Sequence, residues 1–91
     1  MSERIHDPVL PGFADMARRH RELSARLVAS RQQMGLSQTV VAARMGTSQS
    51  AVARIESGAS DVLLSSLARY AAALNLSLEV HLEGDDPSRG D

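Results

Sequence analysis

The sequence predicts a mainly α fold, a small bundle of short helices followed by one β-strand. Three observations carry that expectation. Apolar residues recur at helical spacing in four separate stretches between residues 13 and 75. Ser, Gly or Asp, the residue types that start and stop helices, lie between these stretches. The period then changes to strict alternation in LSLEVHLE, residues 76–83, the pattern of a half-buried strand.

The elements follow in order. Residues 1–12 contain Pro8, Pro11 and Gly12 and show no period, so they are expected to form a flexible arm. A domain over 13–75 comes next. Its first helix is expected from about Phe13 to Met34, with Leu23, Leu27, Val28 and Met34 near one face and Gly35 as the stop. Ser37 is placed to cap a second helix, Gln38 to Met45, with Val40, Val41 and Met45 inward and Gly46 ending it. Ser48 is placed to cap a third, about 49–57, which Gly58 ends. Asp61 is the expected turn or cap before a fourth helix, about 63–74. Its Leu64, Leu67, Ala71 and Leu74 follow the 3, 4, 3 spacing of a buried stripe. Phe13 and Tyr70 are expected in the core. The strand 76–83 has no second strand in the chain to pair with, so Leu76, Leu78, Val80 and Leu82 are expected to meet a second copy across a dimer. The polar stretch 84–91 reads as a disordered tail.

Composition removes several function classes. The 91 residues make one small domain without cysteine, which excludes disulfides, thiolate metal sites and a cysteine nucleophile. No apolar run reaches the ~18 residues of a membrane span, and the start MSERIHDPVLPG lacks a signal pattern. The expected location is the cytoplasm, without a membrane partner. His6, His20 and His81 show no ligand spacing, so neither metal nor cofactor is expected. Asp85 and Asp86 read as solvated tail charge. Ser48 and Ser50 have no histidine or acid placed to activate them, and an enzyme is not expected.

The net charge is only −1, but its distribution is uneven. Residues 18–54 hold seven arginines against one acid, Glu22, and residues 55–91 hold two arginines against seven acids. A basic middle beside an acidic end suits a binding face plus a solvated or partner-facing end. All ten basic residues are arginine, which fits planar recognition of phosphate or guanine and equally fits a bias in genomic base composition. Arg18, Arg19 and Arg21 form either a solvated helix face or phosphate contacts.

The stretch GTSQSAVARIESG, residues 46–58, carries the most information. Two short capped helices joined by a glycine-containing turn form a helix-turn-helix, whose second helix enters the DNA major groove with its N-terminal residues against base edges. A small, polar first turn avoids clash and repulsion there. Gln49 and Ser50 can donate and accept at base edges, and Arg54 can reach guanine or a phosphate one turn further on. Arg54 also fits a solvated helix position.

Residues 27–75 resemble the Cro and phage-repressor family of Xre-type helix-turn-helix proteins. The likeness rests on GLSQ, GTSQS and RIESG at the family's spacing, with Leu27, Arg31, Val41, Ala42, Leu67 and Leu74 around them. It implies a lambda-repressor-like bundle that binds double-stranded DNA as a homodimer. It also implies that Gln38 contacts a backbone phosphate and that Ser48, Gln49, Ser50 and Arg54 form the recognition set; Thr39 and Arg44 complete the expected DNA-binding residues, Arg44 as a source of phosphate contact. Arg31 and Glu56 occupy the positions of a structural salt bridge. Two departures stand out: the GASD loop after the third helix has no basic residue, and a strand replaces the family's fifth helix. Strand-ended versions resemble antitoxins of the HigA- or HipB-like kind. The expected function is a sequence-specific DNA-binding transcriptional regulator, a repressor. The alternative is an antitoxin that also sequesters a toxin protein.

Overall fold

A computed structural model describes residues 13–81. The expected arm 1–12, the tail 84–91 and residues 82–83 of the expected strand lie outside the described residues. Four helices follow in chain order among them: α1 (Phe13–Gln33), α2 (Gln38–Met45), α3 (Gln49–Glu56) and α4 (Leu64–Ala73). Helices of 8 or 10 residues, the lengths of α2, α3 and α4, do not persist alone in water and are held by packing.

The caps define the two helices of the motif. Ser37 Oγ accepts the Val40 N–H and Ser48 Oγ accepts the Ala51 N–H, each at 3.1 Å. Between α2 and α3, Gly46 sits at φ 72°, and the Thr47 N–H closes onto the Ala42 carbonyl at 2.9 Å. Asn75 takes the equivalent left-handed place after α4, at φ 63°, with the Leu76 N–H on the Ala71 carbonyl at 2.8 Å. Asp61 does not cap α4. Leu63, whose side chain has no acceptor, stands at that N-cap, and the Asp61 carboxylate two residues earlier binds Arg54.

All four helices feed one core: Leu27 from α1, Val41 and Ala42 from α2, Val52 and Ile55 from α3, and Leu67, Tyr70 and Ala71 from α4, with Leu74 just beyond it. Three residues expected inside are outside. Met34 is 46% exposed, Val40 39% and Leu64 48%. Met34 lies past the last turn of α1. In α2, Val41 and Ala42 set the buried line, and Val40 is rotated ~100° from Val41. The first turn of α4 overhangs the core, leaving Leu63 exposed beside Leu64. The His20 Nε2–H donates to the Val62 carbonyl at 2.9 Å, tying α1 to the loop before α4. On the solvent side of α1, Asp15 pairs with Arg18 and Arg19, and Arg18 also reaches Glu22 at 3.2 Å. These helical-spacing pairs favour the solvated-face reading of that stretch.

No strand forms among the described residues, and residues 76–81 take no regular structure. A ladder needs a partner, and the described chain offers none. The apolar side chains of this segment divide: Leu78 packs partly against the core, whereas Leu76 and Val80 are exposed. The segment runs beside Leu23 and Leu27 of α1.

Candidate nucleic-acid interface

The helix-turn-helix presents α3 outward. Val52 and Ile55 are buried, so the opposite side of the helix, with Gln49, Ala53 and Arg54, faces solvent beside the exposed N-cap Ser48 and the first-turn Ser50. Ser48 Oγ and Ser50 Oγ lie 3.1 Å apart. Gln49 Nε2 donates to Gln38 Oε1 at 3.2 Å, joining the starts of the two motif helices. Gln38, Ser48, Gln49 and Ser50 therefore form one cluster, with exposed Thr39 next to it on α2.

Beneath that cluster lies a polar network around Glu56. Its carboxylate accepts from Arg31 Nε at 2.7 Å, Arg31 Nη2 at 3.2 Å, Gln38 Nε2 at 2.9 Å and Tyr70 Oη at 2.5 Å. Arg31 also donates through Nη1 to the Leu36 carbonyl at 2.7 Å, on the turn between α1 and α2. The expected salt bridge is present, with side chains only 12% and 9% exposed. Burial opposes ionisation of Glu56, yet bonds from Arg31, Tyr70 and Gln38 outweigh it and hold the carboxyl below its usual pKa. Burial, and then the adjoining Glu56 carboxylate, push the Tyr70 hydroxyl up.

Three contacts, two in this network and one outside it, were not legible in the sequence. Tyr70 reads as one more core residue, since nothing in its spacing shows that its hydroxyl reaches Glu56. Gln38 was expected on a phosphate, but its amide is bonded inward to Glu56. Asp61, expected as the turn or cap before α4, lies in the turn and meets Arg54 there, with both carboxylate oxygens on Arg54 Nη2 at 2.5 and 2.6 Å. The Arg54 bonds and charge hold the Asp61 carboxyl below its usual value. Gly58 is needed at φ 80°, and its turn passes so close to α1 that an added Cβ would meet Arg21 Cγ at 3.3 Å.

Arg44 stands apart from the cluster. Its Nη1 donates to the Ala73 carbonyl at 2.9 Å, while Arg69 Nη2 donates to the Met45 carbonyl at 2.8 Å. Each arginine thus serves the C-terminal end of the other's helix, where the dipole is negative. Among the described residues no group of acids and histidines is arranged to hold a metal ion, and no helix is long and apolar enough to cross a membrane.

Residues 27–81, more than half of the chain, match the family model described as Helix-turn-helix. The chain belongs to the Xre-type helix-turn-helix family. Two curated relatives of this helix-turn-helix protein, both named Antitoxin HigA1, come from Mycobacterium tuberculosis strains CDC 1551 / Oshkosh and ATCC 25618 / H37Rv. Each is 43% identical over 77 residues, covering 85% of this chain and 52% of the relative. The chain spans about half the length of these relatives. No solved structure matches it.

Proposed function

We propose that the chain is a sequence-specific regulator of transcription, a repressor, which reads the major groove of double-stranded DNA with α3. The observation that carries this reading is the capped α2–turn–α3 unit, which sets Ser48, Gln49, Ser50 and Arg54 on the solvent side of α3. Gln49 suits adenine, which offers an acceptor and a donor, and Arg54 suits guanine O6 and N7. The Glu56 network supports the reading, because it fixes α3 against α1, α2 and α4 through bonds rather than apolar contact alone. Phosphate contact falls to the helix starts, Thr39 and neighbouring arginines. Arg44 keeps its Nε and Nη2 donors for that set while Nη1 holds the Ala73 carbonyl.

The functional form is a homodimer paired through residues 76–83. Leu76 and Val80 are exposed, and the backbone of 76–81 has no ladder partner in the described chain. Antiparallel pairing across a two-fold axis covers both and sets the two α3 helices for half-sites about 34 Å apart.

A second role rests on a separate observation, the identity to proteins named Antitoxin HigA1. In that role the chain also binds a toxin protein, through surfaces away from α3, while repressing transcription. Selection from a pool of random 30-base-pair duplexes tests the primary reading. The pool should converge on one site with two-fold symmetry, and a pool that stays random contradicts sequence-specific binding. Capture from the native cell with DNA removed tests the second, which requires one co-purifying protein in stoichiometric amount.

A further inference from the structure

We propose that Asp61 is a specificity-determining residue of the α3 face: its carboxylate fixes the Arg54 guanidinium so that it meets a base edge and not the phosphate backbone. The inference rests on the DNA-reading role of α3. Both Asp61 oxygens bind the same nitrogen, Arg54 Nη2. An arginine has five N–H donors, so Nε and Nη1 keep three outside this pair. The side chain is held in one orientation with those donors left for a neutral acceptor such as guanine O6 or N7. A swing toward a phosphate means breaking the pair and bringing the released carboxylate near a second anion.

The surroundings strengthen the case. Arg54 and Asp61 line one cleft between α3 and the start of α4, of about 280 Å³, and Arg69 lines it too. Asp61 is the sole acid among its lining residues. Neutralising it leaves two guanidiniums facing a surface that approaches DNA, which suits any phosphate regardless of sequence. The side chains of Arg54 and Asp61 are 58% and 70% exposed, so the pair is well solvated and does little for folding. A carboxylate on the edge of a DNA-binding face is otherwise a cost to binding.

Asp61→Asn keeps the shape and removes the charge. Binding is read by fluorescence anisotropy against two probes, the duplex enriched by the wild-type protein and a scrambled duplex of the same composition. Asp61→Asn should bind the scrambled duplex about 3–10-fold more tightly, and its log–log salt slope there should steepen by about 0.9, one extra phosphate. Affinity for the enriched duplex should stay level or fall, so discrimination drops by at least about 3–10-fold. In an Arg54→Ala background the same substitution should shift both probes equally. A discrimination ratio within about twofold of wild type, a shift equal on both probes, or a loss that persists without Arg54 overturns the role of Asp61. Wild-type protein that enriches no duplex, or does not separate the two probes, overturns the DNA-reading role itself and this inference with it. An unchanged melting temperature for Asp61→Asn is expected, and a large drop would assign Asp61 to folding instead.

Discussion

Glu56→Ala should unfold this domain before it alters any preference for DNA. The carboxylate accepts four hydrogen bonds, two from Arg31 and one each from Gln38 and Tyr70, at 2.5 to 3.2 Å. With side chains 12% and 9% exposed, water can replace few of these bonds. Truncation strands a buried guanidinium, an amide and a phenol together, so the cost lies near the range for breaking a buried pair, about 3–5 kcal/mol. Small domains have only about 5–15 kcal/mol in total. At about 4–8 °C per kcal/mol for this size, the melting temperature should fall by more than about 10 °C. Circular dichroism melts without DNA at pH 7 make the measurement. A melt within about 2 °C of wild type would refute the reasoning. The sign with pH is also fixed. The folded-state pKa of Glu56 is depressed, so its contribution is complete above the unfolded carboxyl value, about 4.3. It is lost as pH falls through the lower folded value. Glu56→Gln should remove this part of the acid sensitivity.

Other substitutions separate the remaining contributions. Tyr70→Phe keeps the buried ring but deletes the donor to Glu56 and should cost about 1–2 kcal/mol in urea denaturation; no change would place that bond outside the stability of the fold. Gly46→Ala tests the α2–α3 turn: an added Cβ meets nothing within 4 Å, so only the left-handed backbone is penalised, by about 1–2 kcal/mol, and a loss above about 3 kcal/mol would mean the turn is held by packing. Arg54→Ala should lose about 1–3 kcal/mol on the enriched duplex and relax preference at one base pair; identical binding curves would remove Arg54 from the reading set. Deleting residues 76–91 should give a monomer by light scattering, and a dimer that persists would place the interface elsewhere.

The helices were legible because their signals are local. Ser37 and Ser48 each bond the N–H three residues on, and Gly35, Gly46 and Gly58 each take positive φ. The core was read where the apolar stripe is long, at Leu67, Ala71 and Leu74, and misread in the first turns of α2 and α4. There, period says which residues share a face and not how far the facing helix extends. Arg31 and Glu56 lie 25 residues apart, a pairing that came from family spacing. The bonds from Tyr70 and Gln38 to Glu56, and from Arg54 to Asp61, depend on how α3 meets its neighbours. Period two in residues 76–83 identifies chain suited to a strand, but a strand needs a partner, which the described residues do not supply.

Methylation interference at guanine N7 tests most directly the claim that α3 reads the major groove. Duplexes enriched by the wild-type protein are methylated sparsely at N7, a major-groove atom, and sorted into bound and free fractions. Wild-type protein should reject duplexes methylated at one guanine in each half-site, the two positions lying about one helical turn apart. Arg54→Ala should become indifferent to methylation at that guanine while remaining sensitive elsewhere in the site. Binding insensitive to N7 methylation throughout, or interference confined to the minor-groove adenine N3, would contradict the assignment of α3 as the reading helix.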